Sequence, residues 1–366
     1  MNTNDTSRPS RRQFLATATA AAAAAAARLD AARVLGGAAP EVRRLTSPGF
    51  LDLQVNGFAG VDFNDPATTI DDLHKAVAVL RAHGVTRSLP TLITSSIERF
   101  AQCARLVLQA KTEAFAGIHM EGPYISPEDG PRGAHPREFT VAASIDDFNR
   151  RQEAAQGQIR LVTLAPEVPG ALPLIDHLRA SGIRVAIGHT AASAELIRDA
   201  VKAGATLSTH LGNGCANMIP RHPNFIWEQL AADEMMASII VDGHHLPPAT
   251  VKTMIRAKTV RRTILVTDAI AAAGQPPGEY QLGSLRVRLD ETGRVAAPGA
   301  ANLAGSALAM DRAVANTVRF AGVSLDDALA MASTNPAGYL GVKPAGTLLL
   351  EWDPEAFALR VIRIDR

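Results

Sequence analysis

Past Pro48 the chain alternates short apolar, β-branched runs with longer stretches whose apolar positions recur at helical spacing. The runs are "GFLDLQVNG", "VTRSLPTLIT", "FAGIHMEG", "IRLVTLAPE", "IRVAIGHT", "ATLSTHLGN", "ASIIVDGHH" and "RTILVTDAI". Between them lie segments such as "TTIDDLHKAVAVLRAHG", "AASAELIRDAVKAG" and "PPATVKTMIRAK". In the first of these Leu73, Val77 and Leu80 share one face, and His83 and Gly84 close the helix. Repeated strand–helix units force parallel pairing, since each crossover returns the chain to the same end of the sheet. Eight such units over about 220 residues predict a closed (β/α)8 barrel of the TIM type rather than an open doubly wound sheet. No glycine-rich dinucleotide loop follows the first run, which weakens the open-sheet alternative further.

Polar residues collect at the C-terminal ends of these runs. The first ends in Gln54 and Asn56, the third in Glu121, the fourth in Glu167 and the fifth in His189. The sixth carries His210 and Asn213, the seventh Asp242, His244 and His245, and the eighth Asp268. In a barrel those ends form one rim, where active sites are built. A single case such as His189 in "AIGHT" is more often a hydrogen-bonded strand-end histidine, but repetition on several strands favours a site. Glu121 stands where an apolar run meets a Gly-Pro break, and a carboxylate there needs a partner or a cation. Glu121, His189 and His210 offer one carboxylate and two imidazoles, and three protein ligands with one open position is the coordination of catalytic zinc. Asp268 is the natural general base beside it. The plainer reading of Asp268 in "LVTDA" is an N-cap on the following turn.

Composition narrows the classes. With 366 residues, 47% hydrophobic and 20% charged, the chain suits one large domain or one domain with a small appendage. A net charge of +1, with Lys and Arg spread evenly, argues against a nucleic-acid or anionic-membrane partner. No apolar stretch in the body is long enough to span a bilayer. Cys103 and Cys215 are too few and too distant for a disulfide framework. The N-terminus differs from the body. "SRRQFLATATAAAAAAAARLDAARVLGGAAP" places Arg11 and Arg12 before Phe14 and Leu15, and resembles a twin-arginine export signal. Residues 1–35 are therefore set aside as a signal or disordered leader. The barrel is expected over 48–340, with 341–366 adding C-terminal strands of a small β-domain. The expected location is periplasmic or exported, with no stable membrane association after export; the alternative is cytoplasmic.

Together "PGFLDLQVNG", "LPTLITSS", "HMEGPYISP", "GAHP", "LAPE", "GHTAAS", "STHLGNG", "VDGHHL", "LVTDAIAAAG", "AGSALAMDRAV" and "MASTNPAGYLGV" resemble, in order, the N-acetylglucosamine-6-phosphate deacetylases of the amidohydrolase superfamily. The resemblance covers roughly Pro48 to Lys343. It implies a metal-dependent barrel that hydrolyses the acetamide of an amino-sugar phosphate. Most amidohydrolases carry a His-x-His on the first strand; here those positions are Gln54 and Asn56, which implies one divalent ion, with zinc expected, rather than two. The resemblance places His135 at the substrate's acetamido group, as a second catalytic residue beside Asp268. It places Asn213 and Gly214 at the sugar phosphate, with Arg221 and His245 reaching it from a neighbouring subunit, hence a homodimer with shared active sites. Two departures stand out. Few residues precede Pro48, so the small β-sandwich of relatives is expected to be reduced, built mainly from "YQLGSLRVRLDETGRVA", "GTLLLEW" and "FALRVIRI". The loop "NGCANMIPRHPNFIWEQ" is Gly-rich where the family's usual loop is bulkier. Two rivals follow: an exported deacetylase of unphosphorylated or cell-wall-derived amino sugars, and a non-catalytic sugar-binding barrel.

Overall fold

The computed structural model describes residues 41–216, 218–300 and 302–365. The leader expectation lies outside these residues. After β1 (Arg43–Pro48), β2 (Phe50–Val55) and a small hairpin, β3 (Gly57–Phe58) with β4 (Val61–Asp62), the chain runs through seven further parallel strands. These are β5 (Val85–Ile93), β6 (Ile118–Glu121), β7 (Ile159–Leu164), β8 (Arg184–Ile187), β9 (Leu207–Ser208), β10 (Met236–Ile239) and β11 (Thr263–Leu265). The ladder runs in the order β11-β10-β9-β8-β7-β6-β5-β2, an 8-stranded sheet that follows the sequence. Every residue of β2 is buried, as a strand sandwiched between barrel interior and helix layer must be. The expected barrel is present.

Closure happens differently from the rest of the sheet. Between β2 and β11 there is no ladder, only an isolated bridge from Val55 to Ala269. The Asp268 N–H donates to the Gln54 carbonyl at 2.9 Å, and the Asn56 N–H to the Ala269 carbonyl at 2.8 Å. The seam thus falls beside the polar ends of strands one and eight.

Helices cover the outside. The helix Ile70–Ala82 opens with a capping box, the Thr69 hydroxyl accepting the Asp72 N–H while the Asp72 carboxylate accepts the Thr69 N–H. Its Leu73, Ala76, Val77 and Leu80 are buried, and His83 caps the end. Each leucine so buried contributes about 1.5–3 kcal/mol.

The appendage takes the form of two antiparallel sheets. The quoted C-terminal segments give β12 (Gly278–Leu282), β13 (Leu285–Leu289), β14 (Val295–Ala296), β15 (Thr347–Asp353) and β16 (Ala358–Asp365). One sheet is β12-β13-β14; the other is β1-β15-β16, with Arg43 opposite Trp352 and Pro48 opposite Thr347. They belong to different hydrophobic clusters. Leu348, Leu350, Trp352 and Leu359 join the main barrel core, whereas Leu282, Val287 and Leu289 pack with Ile93 and Ile270. β1 was not expected ahead of Pro48; it forms because β15 offers an edge to pair with. No described helix is long and apolar enough to cross a membrane.

Candidate metal centre and active site

Three of the residues singled out by sequence share an unusual backbone. His189 (φ 51°), His210 (φ 32°) and Asp268 (φ 51°) all lie in the left-handed region. For a residue with a Cβ this costs about 1–2 kcal/mol, so neighbouring bonds must hold each turn in place. The His210 N–H donates to Ser238 Oγ at 2.8 Å. The His189 carbonyl accepts the Ser126 N–H at 3.0 Å, and Asp268 is held across the seam as described. The turns swing the side chains off the strand ends and over the barrel mouth.

There Glu121, His189 and His210 converge, all buried. Glu121 Oε1 is 3.2 Å from His189 Nε2 and 3.2 Å from His210 Nε2, and the two Nε2 atoms are 3.1 Å apart. His189 Nδ1 lies 2.9 Å from the Pro131 carbonyl. That contact places a proton on Nδ1 and leaves the Nε2 lone pair facing the cluster. His210 Nδ1 has no hydrogen-bond partner among the described residues. With the His189 Nε2 lone pair, His210 Nε2 and a Glu121 oxygen converging on one point, a divalent cation between them would engage all three at once. A tetrahedral ion with bonds of about 2.0–2.1 Å sets its donors roughly 3.3 Å apart, close to all three separations. The donor set fits one divalent ion. Gln54, behind the cluster, donates its Nε2–H to Glu121 Oε1 at 2.8 Å.

Across the mouth Asn56 Nδ2 donates to Asp268 Oδ1 at 2.7 Å, and nothing among the described residues hydrogen-bonds Oδ2. Burial, reinforced by the charge on Glu121, pushes Asp268 up to about 6. That suits a base working near neutrality. The Thr94 N–H donates to His135 Nδ1 at 3.4 Å, with the Thr94 hydroxyl at 2.8 Å from the same atom. Nδ1 is therefore the acceptor, and Nε2 carries the proton, 3.9 Å from Glu121 Oε2. Burial above all lowers His135 to about 3, so it meets a ligand as a neutral donor.

The cavity over this cluster has a volume of about 190 Å³. Asn56, His135, Asn213, Gly214, His245 and Asp268 all line it, together with the three candidate ligands. At Gly214 (φ 55°) a Cβ would meet His189 Nδ1 at 2.8 Å, so a side chain there would displace the ligand ring. Asn213 Nδ2 donates to the His210 carbonyl at 3.1 Å. His245 lines the cavity of its own chain, where the resemblance had it reach across from a neighbour. Its Nδ1 sits 2.6 Å from Asp242 Oδ2. Arg221 is exposed and does not line this cavity. Glu167 also turns away, bonding the Thr190 hydroxyl and the Ala191 N–H just after His189. Sequence reasoning missed the far wall: Leu282 from β12 with Asn302, Leu303 and Gly305 from the stretch after β14. Nothing in those residue types marks them, because only the fold brings the inserted sheet over the mouth.

Residues 45–359 match the Amidohydrolase family. The chain belongs to the amidohydrolase family. Among its amidohydrolase relatives, the N-acetylgalactosamine-6-phosphate deacetylase of Escherichia coli O157:H7 is 35% identical over 306 residues, 81% of this chain and 78% of that one. The N-acetylglucosamine-6-phosphate deacetylase of Homo sapiens is 36% identical, over 83% of this chain and 77% of its own. A mutant N-acetyl-D-glucosamine-6-phosphate deacetylase from Mycobacterium smegmatis, solved in complex with N-acetyl-D-glucosamine-6-phosphate, superposes with a TM-score of 0.81 at 31% identity. It covers 90% of this chain and 89% of that one. As an amidohydrolase the protein is a hydrolase acting on an amide, and its family is metal-dependent.

Proposed function

We propose that the protein removes the acetyl group from N-acetylglucosamine 6-phosphate, giving glucosamine 6-phosphate and acetate, with one zinc ion per site. The observation that carries this is the buried trio Glu121, His189 and His210 facing Asp268 across one small cavity. The bound metal would act as a Lewis acid on the acetyl carbonyl and ease ionisation of the attacking water. Asp268, with Oδ2 free and Oδ1 anchored by Asn56, takes the proton as water adds to the carbonyl carbon. It then returns that proton to the nitrogen as the C–N bond breaks. His135 donates its Nε2–H to the acetyl oxygen as negative charge develops there. Gln54 orients Glu121 by its amide hydrogen bond.

At the sugar end, Asn213, Gly214 and His245 line the cavity and would meet the 6-phosphate. Arg221, exposed on its loop, is read as a donor to a partner's cavity in a homodimer. A phosphate rewards such charge-assisted donors. The Escherichia coli relative, named for the galactosamine epimer, supports a second reading in which the 4-hydroxyl configuration is reversed. The unphosphorylated-sugar alternative finds no support in these relatives, which are named for 6-phosphates.

The test is acetate release from N-acetylglucosamine 6-phosphate, N-acetylgalactosamine 6-phosphate and free N-acetylglucosamine. The highest kcat/KM is expected on the first. Preference for the second would move the assignment to the epimer, and equal rates on phosphorylated and free sugar would remove the phosphate reading. No acetate from any of them with metal bound would leave a sugar-binding barrel.

A further inference from the structure

Asp52 is fully buried in β2, two residues before Gln54, and takes no part in the chemistry above. Its Oδ1 accepts the Gln54 N–H at 3.1 Å and the Thr267 N–H at 3.3 Å, and its Oδ2 accepts the Thr267 hydroxyl at 2.5 Å. The same hydroxyl accepts the Ala269 N–H at 3.2 Å. Residues on both sides of Asp268 are thus tied to one carboxylate, and the Asp268 N–H itself goes to the carbonyl of Gln54, the residue whose N–H Asp52 accepts. Ser306 secures the carbonyls of Thr267 and Asp268, but no N–H on either residue.

This carboxylate is expensive. Burial pushes it up to about 7 in spite of its hydrogen bonds, and no cation is among the groups acting on it. An apolar side chain at this depth would cost less. The seam offers a reason for the expense. Asp268 sits at φ 51° beside the seam where β2 and β11 form no ladder, so its turn is held by single hydrogen bonds, to the Gln54 carbonyl and from the Ser306 N–H, rather than by regular strand pairing. A strained residue persists only where its surroundings over-determine it. We infer that Asp52 is a positioning residue for Asp268: through Thr267 and Gln54 it locks the left-handed turn that aims the aspartate at the substrate. This rests on the reading of Asp268 as the base.

Three substitutions test it, with kcat, KM for N-acetylglucosamine 6-phosphate, metal per chain and Tm measured on each purified enzyme. Asp52→Asn keeps the shape, but its amide turns a donor toward the Thr267 hydroxyl, which then competes with the Ala269 N–H. Thr267→Val removes the hydroxyl at constant volume, and Thr267→Ser keeps it. Displacement of a reacting group by about 1 Å costs on the order of a hundredfold. Asp52→Asn and Thr267→Val should therefore lose about 10- to 100-fold in kcat, with KM and metal content nearly unchanged, while Thr267→Ser stays within about threefold of wild type. A lower Tm with unchanged kcat in Asp52→Asn and Thr267→Val would make Asp52 a strut of the seam and overturn the inference. Equal losses in Thr267→Ser and Thr267→Val would overturn it too. If Asp52→Asn does not fold, the Thr267 pair decides. Asp268→Asn run alongside separates the two claims: full activity there refutes the base itself, whereas an inactive Asp268→Asn beside an unaffected Thr267→Val refutes only the positioning.

Discussion

On one side of the barrel mouth Glu121 faces the nitrogens of His189 and His210; on the other Asp268 faces the amide N–H of Asn56. Both carboxylates are buried, yet their partners are of opposite kinds. Imidazole nitrogens turned inward beside a carboxylate are metal-ligating groups, so the first arrangement suits a cation at its centre. The amide presents a donor, so the second is satisfied without one and leaves an oxygen free for proton transfer. Gln54 extends the same logic to the metal side, where its N–H steadies Glu121 instead of supplying a further ligand. On the proposed chemistry the mouth has a cation half and a proton half, and the first strand touches both, through Gln54 and Asn56.

The division can be broken most severely on the cation half. His189→Ala or His210→Ala should reduce metal from about one ion per chain to nearly none and abolish turnover, since two protein ligands seldom sustain a catalytic site. Elemental analysis of wild type showing two tightly held ions would break the comparison outright. On the proton half Asp268→Asn should lower kcat by about 10²- to 10⁴-fold while metal content stays the same. A variant that keeps its activity but loses metal would place Asp268 among the ligands. Gln54→Leu removes the hydrogen bond behind Glu121, and chelator competition should show metal held about 10- to 100-fold more weakly. The smallest effect is in the pH profile. With Asp268 raised to about 6, it is ionised and competent above that pH and protonated below it. In wild type kcat/KM should be flat on the alkaline side and fall about tenfold per pH unit on the acid side. The residual activity of Asp268→Asn should lack that limb.

The convergence of Glu121, His189, His210 and Asp268 was legible because each ends an apolar run, and a parallel barrel gathers such ends at one rim. The parallel strands were legible for the same reason, from the alternation of β-rich and helical stretches. Other features depend on contacts that no local pattern encodes. Glu167 ends its run just as Glu121 does, yet it turns to Thr190 and Ala191, a choice made by the loop after β8. Asp52 reads as an ordinary polar residue within "FLDLQV", and only the unladdered seam shows what it faces. His119 is likewise hidden; it is buried beneath Glu121, 3.0 Å from the Leu53 carbonyl and 2.7 Å from Thr163 Oγ1. The strand β1 has too few apolar residues to announce itself, and owes its existence to pairing across 300 residues or so of chain with β15.

His189, His210 and Asp268 occupy backbone conformations for which the fold alone would choose glycine. The chain therefore carries, at three of the positions to which the proposed chemistry is assigned, residues that its stability does not favour. A campaign that selected variants for heat resistance, with no screen for turnover, would be drawn to these sites early. Its best scorers would be well-folded barrels that had surrendered two ligands or the base. For this scaffold, rising Tm at the barrel mouth is a warning sign, and catalytic output has to be measured in the same round.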